Sequence, residues 1–223
     1  MEWPDLKNPR PRPEPLRYAP IAWPTSALVP LPDDPIPETP RFDAVIESRR
    51  TRYEFATLSD EQLAALMHLT CRVQVSFAGP LSFAQSFRPV PSAGAIHPLH
   101  VVLHRPGDAS LQRYDPHEHG LRQLEAPVEV MALRAAMNEV IEAPSATLML
   151  LVAEPGMTAS KYADFASLVW RDAGVLLGAI ALAAEALSLN FSPMGVTGEP
   201  WASQLIPGAP LAGVGAAFIG ARP

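Results

Sequence analysis

The chain has 223 residues, 48% of them hydrophobic and 18% charged, so it holds enough apolar material for a real core and is not disordered as a whole. A net charge of −6 argues against a polyanion partner, whose footprint is a basic patch, so no nucleic-acid binding is expected. The single cysteine, Cys71, excludes an intrachain disulfide and any thiolate metal cluster.

At the N-terminus, Met1-Glu2-Trp3-Pro4-Asp5 carries neither a basic start nor an apolar run, so no secretory signal is expected and the chain reads as cytoplasmic. Twelve of the 26 prolines fall within residues 1–40. Each removes an amide donor and fixes φ, which excludes a helix interior or central strand and favours an extended, polyproline-like arm. Trp3, Leu16, Tyr18, Ile21, Trp23, Leu28 and Val29 recur along it, so the arm is expected to lie on the folded body or on a partner subunit. The division expected is an arm over 1–40 and a folded domain over 41–223.

Phe42, Val45 and Ile46 have the spacing of a short helix that ends at Ser48-Arg49-Arg50. Ser59-Asp60-Glu61-Gln62 is a capped helix start, and Leu63, Leu66, Met67 and Thr70 then line one face. Residues 99–103 suit a strand. Residues 111–114 and 121–124 suit a hairpin around Asp115-Pro116-His117-Glu118-His119-Gly120. Residues 128–141 read as a helix, and the unbroken apolar run 146–153 as a buried strand. The longest element predicted is a helix over 163–189, apolar on nearly every side and therefore expected to be buried all round, in the core or between subunits. No membrane span is expected there, because Arg171, Asp172 and Glu185 leave an uncharged run too short for a bilayer. A last strand is predicted over 211–221. Short strands separated by long helices, without strict alternation, predict an α+β fold.

No phosphate-binding glycine motif of the Walker or dinucleotide type is present. His97, His100 and His104 lie in or beside a strand and are expected to form hydrogen bonds; no metal site is predicted. His117 and His119 are expected to be solvated, and Cys71 to be a small apolar filler.

Three segments carry chemistry. Arg49-Arg50-Thr51-Arg52 puts three guanidiniums and a hydroxyl at a helix end, which suits a phosphate monoester and equally a solvated basic terminus. Pro91-Ser92-Ala93-Gly94-Ala95 is a run of small residues that lets backbone approach a flat ring, or is an ordinary tight loop entering a strand. Lys161-Tyr162 is a candidate proton-transfer pair, or a surface lysine beside a packing tyrosine.

Taken in order, these segments resemble the FMN-dependent nitroreductase superfamily, and within it the SagB-type (thiazole/oxazole-forming) dehydrogenases. The resemblance rests on Arg49-Arg50-Thr51-Arg52-Tyr53-Glu54-Phe55, the block Pro91–Leu99, the hairpin Tyr114-Asp115-Pro116 to Leu121, Lys161-Tyr162, and Asp172-Ala173-Gly174 through Leu187. It implies a nitroreductase-like fold: a mainly antiparallel central sheet flanked by helices, with a long buried helix, in a homodimer. It implies FMN as cofactor, with Arg49, Arg50 and Thr51 on the phosphate and ribityl chain, and Pro91, Ser92, Ala93 and Gly94 along the ring. Pro193-Met194-Gly195 would pass the other ring edge and Arg222 would add a phosphate ligand. Lys161 and Tyr162 fall where azoline-oxidising members keep their catalytic pair. Thr51 keeps the hydroxyl of the usual serine; His100 stands where glutamate is common.

The activity implied is dehydrogenation of an azoline ring in a modified peptide, with Lys161 or Tyr162 as base, hydride passing to the flavin and dioxygen reoxidising it. A cyclodehydratase-type partner is implied, and no membrane. The alternatives are an NAD(P)H-fed reductase of nitro or quinone compounds, acting on a free small molecule, and a flavin-less binding subunit of a peptide-modifying complex.

Overall fold

The computed structural model describes residues 4–223; Trp3 of the arm lies outside the described residues. In chain order the strands are β1 (Arg10–Pro11), β2 (Thr25–Pro30), β3 (Val75–Phe77), β4 (Gln85–Phe87), β5 (Leu99–His104), β6 (Gln112–Asp115), β7 (Gly120–Leu124), β8 (Thr147–Ala153), β9 (Tyr162–Ala163), β10 (Leu189–Pro193) and β11 (Ala212–Ala221). The helices are α1 (Phe42–Ser48), α2 (Asp60–Thr70), α3 (Val130–Val140), α4 (Pro155–Lys161) and α5 (Ala166–Ala186).

Seven strands form one sheet in the order β10-β11-β8-β5-β6-β7-β2, and every pairing in it is antiparallel. β8 is buried at all seven positions, which its unbroken apolar run requires, because both sheet faces are covered. Met149 and Leu151 point into a core shared with α2 and α5. Leu148, Leu150 and Val152 point into a second core built with α3 and Phe218. Side-chain alternation along a pleated strand divides them so. At the start of α2, Ser59 accepts from the Gln62 amide and the Gln62 side chain accepts from the Ser59 amide, a full capping box. Leu63, Leu66, Met67 and Thr70 are all buried behind it.

The arm is not a separate body. β2 is the edge strand of the main sheet, paired with β7 from Thr25↔Leu124 to Pro30↔Gly120. Prolines fit there because an edge strand leaves one side of its backbone without a ladder. Gly120 permits the approach: a Cβ would lie 2.7 Å from the Val29 carbonyl oxygen. Further upstream, β1 pairs with β9, and the Arg12 and Leu16 amides donate to the carbonyls of Lys161 and Ser160. Residues 10–30 thus pair with the body at two places, β1 with β9 and β2 with β7.

The long helix spans Ala166–Ala186, with β9 before it and β10 after it, shorter at both ends than the expected 163–189, and within one chain it is buried along one side. Val169, Asp172, Ala173, Leu176, Ile180 and Ala184 face the protein, while Trp170 and Val175 are 46% and 45% exposed. Among the described residues α5 is the one helix with the length and apolar composition of a membrane span. It lies against the sheet, and its buried Asp172 and Glu185 are both paired. His119, expected in solvent, is half-buried and accepts or donates at Nδ1 2.7 Å from the Tyr114 hydroxyl.

Candidate active site

Lys161 ends α4 and Tyr162 begins β9, so both are held by the arm's β1 through backbone hydrogen bonds. Their side chains meet the small-residue loop. A Cβ on Gly94 would sit 2.8 Å from Lys161 Nζ and 3.0 Å from the Tyr162 hydroxyl. Gly94 has φ +69°, a left-handed conformation that glycine adopts without strain. The Lys161 ammonium also lies 5.6 Å from the centre of the Tyr162 ring. Among the described residues no carboxylate pairs with it. Two of the three chemistry-bearing segments thus converge.

The loop itself is fixed by α5. The Ser92 hydroxyl donates to Asp172 at 2.5 Å, the Ala93 amide donates to the same carboxylate, and the Ser92 Oγ accepts from the His97 amide at 2.9 Å. The Ala95 amide turns back to the Ser92 carbonyl. Burial pushes the Asp172 carboxyl up, and those donors offset only part of that cost. The Ser92 hydroxyl and carbonyl and the Ala93 amide are therefore spent within the chain. What the loop presents outward is the surface of Pro91 and the backbone around Gly94.

The arginine segment lies elsewhere. Arg52 and Arg222 both pair with the buried Glu185 near the C-terminal end of α5, Arg222 at 3.0 Å. Their guanidiniums hold the Glu185 carboxyl below its usual range although burial pushes the other way. Arg49 and Arg50 line a small depression beside them, with Pro193 and Phe191 of β10 and with Ala181 and Ala184 of α5. Arg50 is exposed and donates to the Glu47 and Arg49 carbonyls; Thr51 is exposed. Four guanidiniums against one carboxylate leave a surplus of positive charge facing small residues, a donor set that fits a phosphate. Met194 is different: its side chain is buried in the second core, so only backbone at Pro193-Met194-Gly195 is available to a ligand.

Within one chain the loop and the arginines do not meet. Asp172 anchors one and Glu185 the other, thirteen residues apart on α5, about 20 Å at the ~1.5 Å rise of a helix. The depression at Arg49 is only ≈ 30 Å³, too small for a tricyclic ring.

Some residues of evident importance escape sequence reasoning. Glu154, fully buried at the end of β8, accepts from the Tyr18 hydroxyl at 3.0 Å, the Ile21 amide at 2.8 Å and His100 Nε2 at 2.9 Å. Burial would raise its carboxyl, but these donors hold it low. The only hint was that a carboxylate closes a buried strand.

A family model of the Nitroreductase family matches residues 46–206, most of the chain. The chain belongs to the nitroreductase family. No curated protein matches it. Among solved structures, this nitroreductase-family chain is similar to a protein of Ralstonia eutropha JMP134 described as a nitroreductase, at 18% identity and TM-score 0.62, over 94% of this chain and 98% of that one. It is also similar to a chain of the E. coli microcin synthetase McbBCD complex with truncated pro-MccB17 bound, at 15% identity and TM-score 0.59, over 80% of this chain and 72% of that one. Both likenesses concern the fold.

Proposed function

We propose that the protein is an FMN-dependent dehydrogenase that oxidises azoline rings to azoles in a peptide, and that it works as a homodimer. The observation that carries this reading is the convergence of Lys161 Nζ and the Tyr162 hydroxyl on Gly94. A lysine without a carboxylate partner among the described residues, beside a phenol and a loop of small residues, can take a proton from a flat substrate once it is the free amine. The likeness to a peptide-bound synthetase chain supports a peptide substrate and a cyclodehydratase-type partner.

Arg49, Arg50, Thr51 and Arg222 would hold the FMN phosphate, and backbone at Pro193-Met194-Gly195 would pass one ring edge. Pro91 to Gly94 would cover the ring from the second copy. An antiparallel pairing of two α5 helices that cross near Gly178, on the open face that also carries Gly174 and Val175, would bring the Asp172 end of one helix to the Glu185 end of the other. That arrangement answers the separation within one chain. When bound, the flavin supplies a hydride acceptor that dioxygen can reoxidise. Lys161, with Tyr162 beside it, removes the ring proton next to the carbonyl, and the loop of small residues lets the ring lie flat against backbone.

The test is mass spectrometry of an azoline-bearing peptide after incubation with the FMN-loaded protein. A loss of two hydrogens, abolished in Lys161→Ala, is expected. The same variant retaining FMN, while the peptide mass never changes with either protein, overturns the azoline reading. Reduction of a nitro or quinone compound by NAD(P)H, undiminished in Lys161→Ala, would then favour a reductase. A colourless protein that takes up no FMN overturns both.

A further inference from the structure

Beside the small-residue loop, with neither Lys161 nor Tyr162 in its lining, lies a cavity of ≈ 290 Å³ between β5, β6 and the arm. Its walls are mainly apolar, with Ile21 and Trp23 of the arm, Phe83, Val101, Met157 and Leu176 among them. Two guanidiniums, Arg88 and Arg113, are set into those walls. Arg88 donates through Nε to the Ser86 hydroxyl at 3.2 Å. Arg113 donates through Nε to His100 Nδ1 at 3.4 Å and lies 5.1 Å from the centre of the Trp23 ring. Among the described residues no hydrogen bond or ion pair reaches the terminal nitrogens of either.

The acids nearby are already engaged. Glu154 accepts three donors, Asp172 binds Ser92 and the Ala93 amide, and Asp115 binds Arg122 and the amides of His117 and Glu118. Burial and the neighbouring arginines keep His97 and His100 neutral, His97 down to about 4. Burial also lowers Arg88 to about 10, which leaves it charged at neutral pH. Asp115 and Glu154 ease these charges only at a distance; two half-buried cations with free donors and, among the described residues, no carboxylate hydrogen-bonded to them are costly unless an anion completes them.

We propose that this cavity binds a small organic carboxylate on a flat apolar body, its carboxylate held by the terminal nitrogens of Arg88 and Arg113 and its body against Trp23 and the aliphatic wall. A guanidinium fork suits a planar carboxylate. A single negative charge pairs with the arginines, whereas a dianion would add repulsion from Glu154 and Asp172. The site requires neither the flavin nor a second copy of the chain.

The probe is 2-naphthoate, titrated by calorimetry into the flavin-free full chain, with 2-naphthalenemethanol as its uncharged counterpart. Saturable naphthoate binding, at least about tenfold tighter than the alcohol, is expected, with a further loss of about tenfold in Arg88→Gln and in Arg113→Gln. Arg41→Gln, at an exposed arginine far along the chain, should leave it unchanged. Equal affinity for acid and alcohol, or no saturation below about 1 mM, overturns the proposal. So does a loss in Arg49→Gln instead of Arg88→Gln, which would put the anion at the arginines beside Glu185. Circular dichroism and thermal melts check each variant; where a glutamine variant does not fold, the acid-to-alcohol ratio on the unaltered chain decides.

Discussion

Gly94 lies so close to Lys161 that a single methyl group on its Cα would come within 2.8 Å of the ammonium nitrogen. The contact is with the far end of a flexible side chain, so a substitution displaces the lysine before it displaces the backbone. Gly94→Ala therefore acts twice. The left-handed φ costs about 1–2 kcal/mol of stability, to be read by denaturant unfolding. Under the proposed reaction, displacing Lys161 is expected to slow azoline oxidation while FMN remains bound. An activity loss that tracks only the fraction of unfolded protein would contradict the second effect.

Glu185 holds two arginines, Arg52 and Arg222, at the end of α5 where Arg49 and Arg50 are also exposed to a ligand. Glu185→Gln leaves those guanidiniums without a counter-charge. Stability is expected to fall by about 1–3 kcal/mol, moderated because both arginines are about one-third exposed. Anion binding moves the other way: the ratio of FMN to riboflavin affinity rises, since only FMN carries the phosphate. A ratio that falls in fluorescence titrations would show that Glu185 positions the arginines more than it neutralises them.

Much of the framework was legible because local patterns and tertiary packing agree. The apolar run of β8 could only be a strand covered on both faces, and Ser59 with Gln62 is a start signal that needs no context. β10 was hidden because its Leu189-Asn190-Phe191-Ser192 follows directly on the apolar helix, so periodicity ran the two together. β2 was hidden by Pro24 and Pro30, which read as arm although an edge strand tolerates them. For the site, Lys161, Tyr162 and Gly94 came through a resemblance of ordered motifs; their contact is a property of the β1–β9 pairing, which residue types do not announce. Glu154 was missed because its charge says nothing about burial, whereas His100 was expected to form a hydrogen bond and finds Glu154 as its partner. The distance between Ser92 and Arg49 was unreadable for a different reason. Sequence order cannot say which copy of a chain completes a pocket.

The half-buried His97 donates from Nε2 to the Ser86 carbonyl at 3.0 Å and stays neutral down to about 4, chiefly through burial and then through Arg88. In the unfolded chain it titrates near ~6.5. The folded pKa is the lower one, so the unfolded state binds more protons between the two values. Stability is therefore full above about pH 6.5 and falls as the pH drops toward 4, by ~1.4 kcal/mol per pH unit at most. His97→Gln is expected to lower stability at pH 7 and to flatten this slope. Parallel curves for the two proteins between pH 6.5 and 4 would exclude His97 as the source.

The open side of α5 offers the last test. Trp170 and Val175 on that helix, with Phe42 and Ile46 on α1, are apolar and between 45% and 71% exposed in the single chain. Leaving such side chains in water forgoes about 1.5–3 kcal/mol apiece relative to full burial, and a second copy would recover much of it. Val175→Arg puts an unpaired charge into the seam if two α5 helices pair, and sits in solvent at no cost if they do not. The expected result is a shift from dimer to monomer in light scattering, with FMN lost from the monomer because the Gly94 loop and the Arg49 depression then stand about 20 Å apart along one helix. A variant that stays dimeric and keeps its flavin would place the pairing surface elsewhere and require a pocket built within one chain.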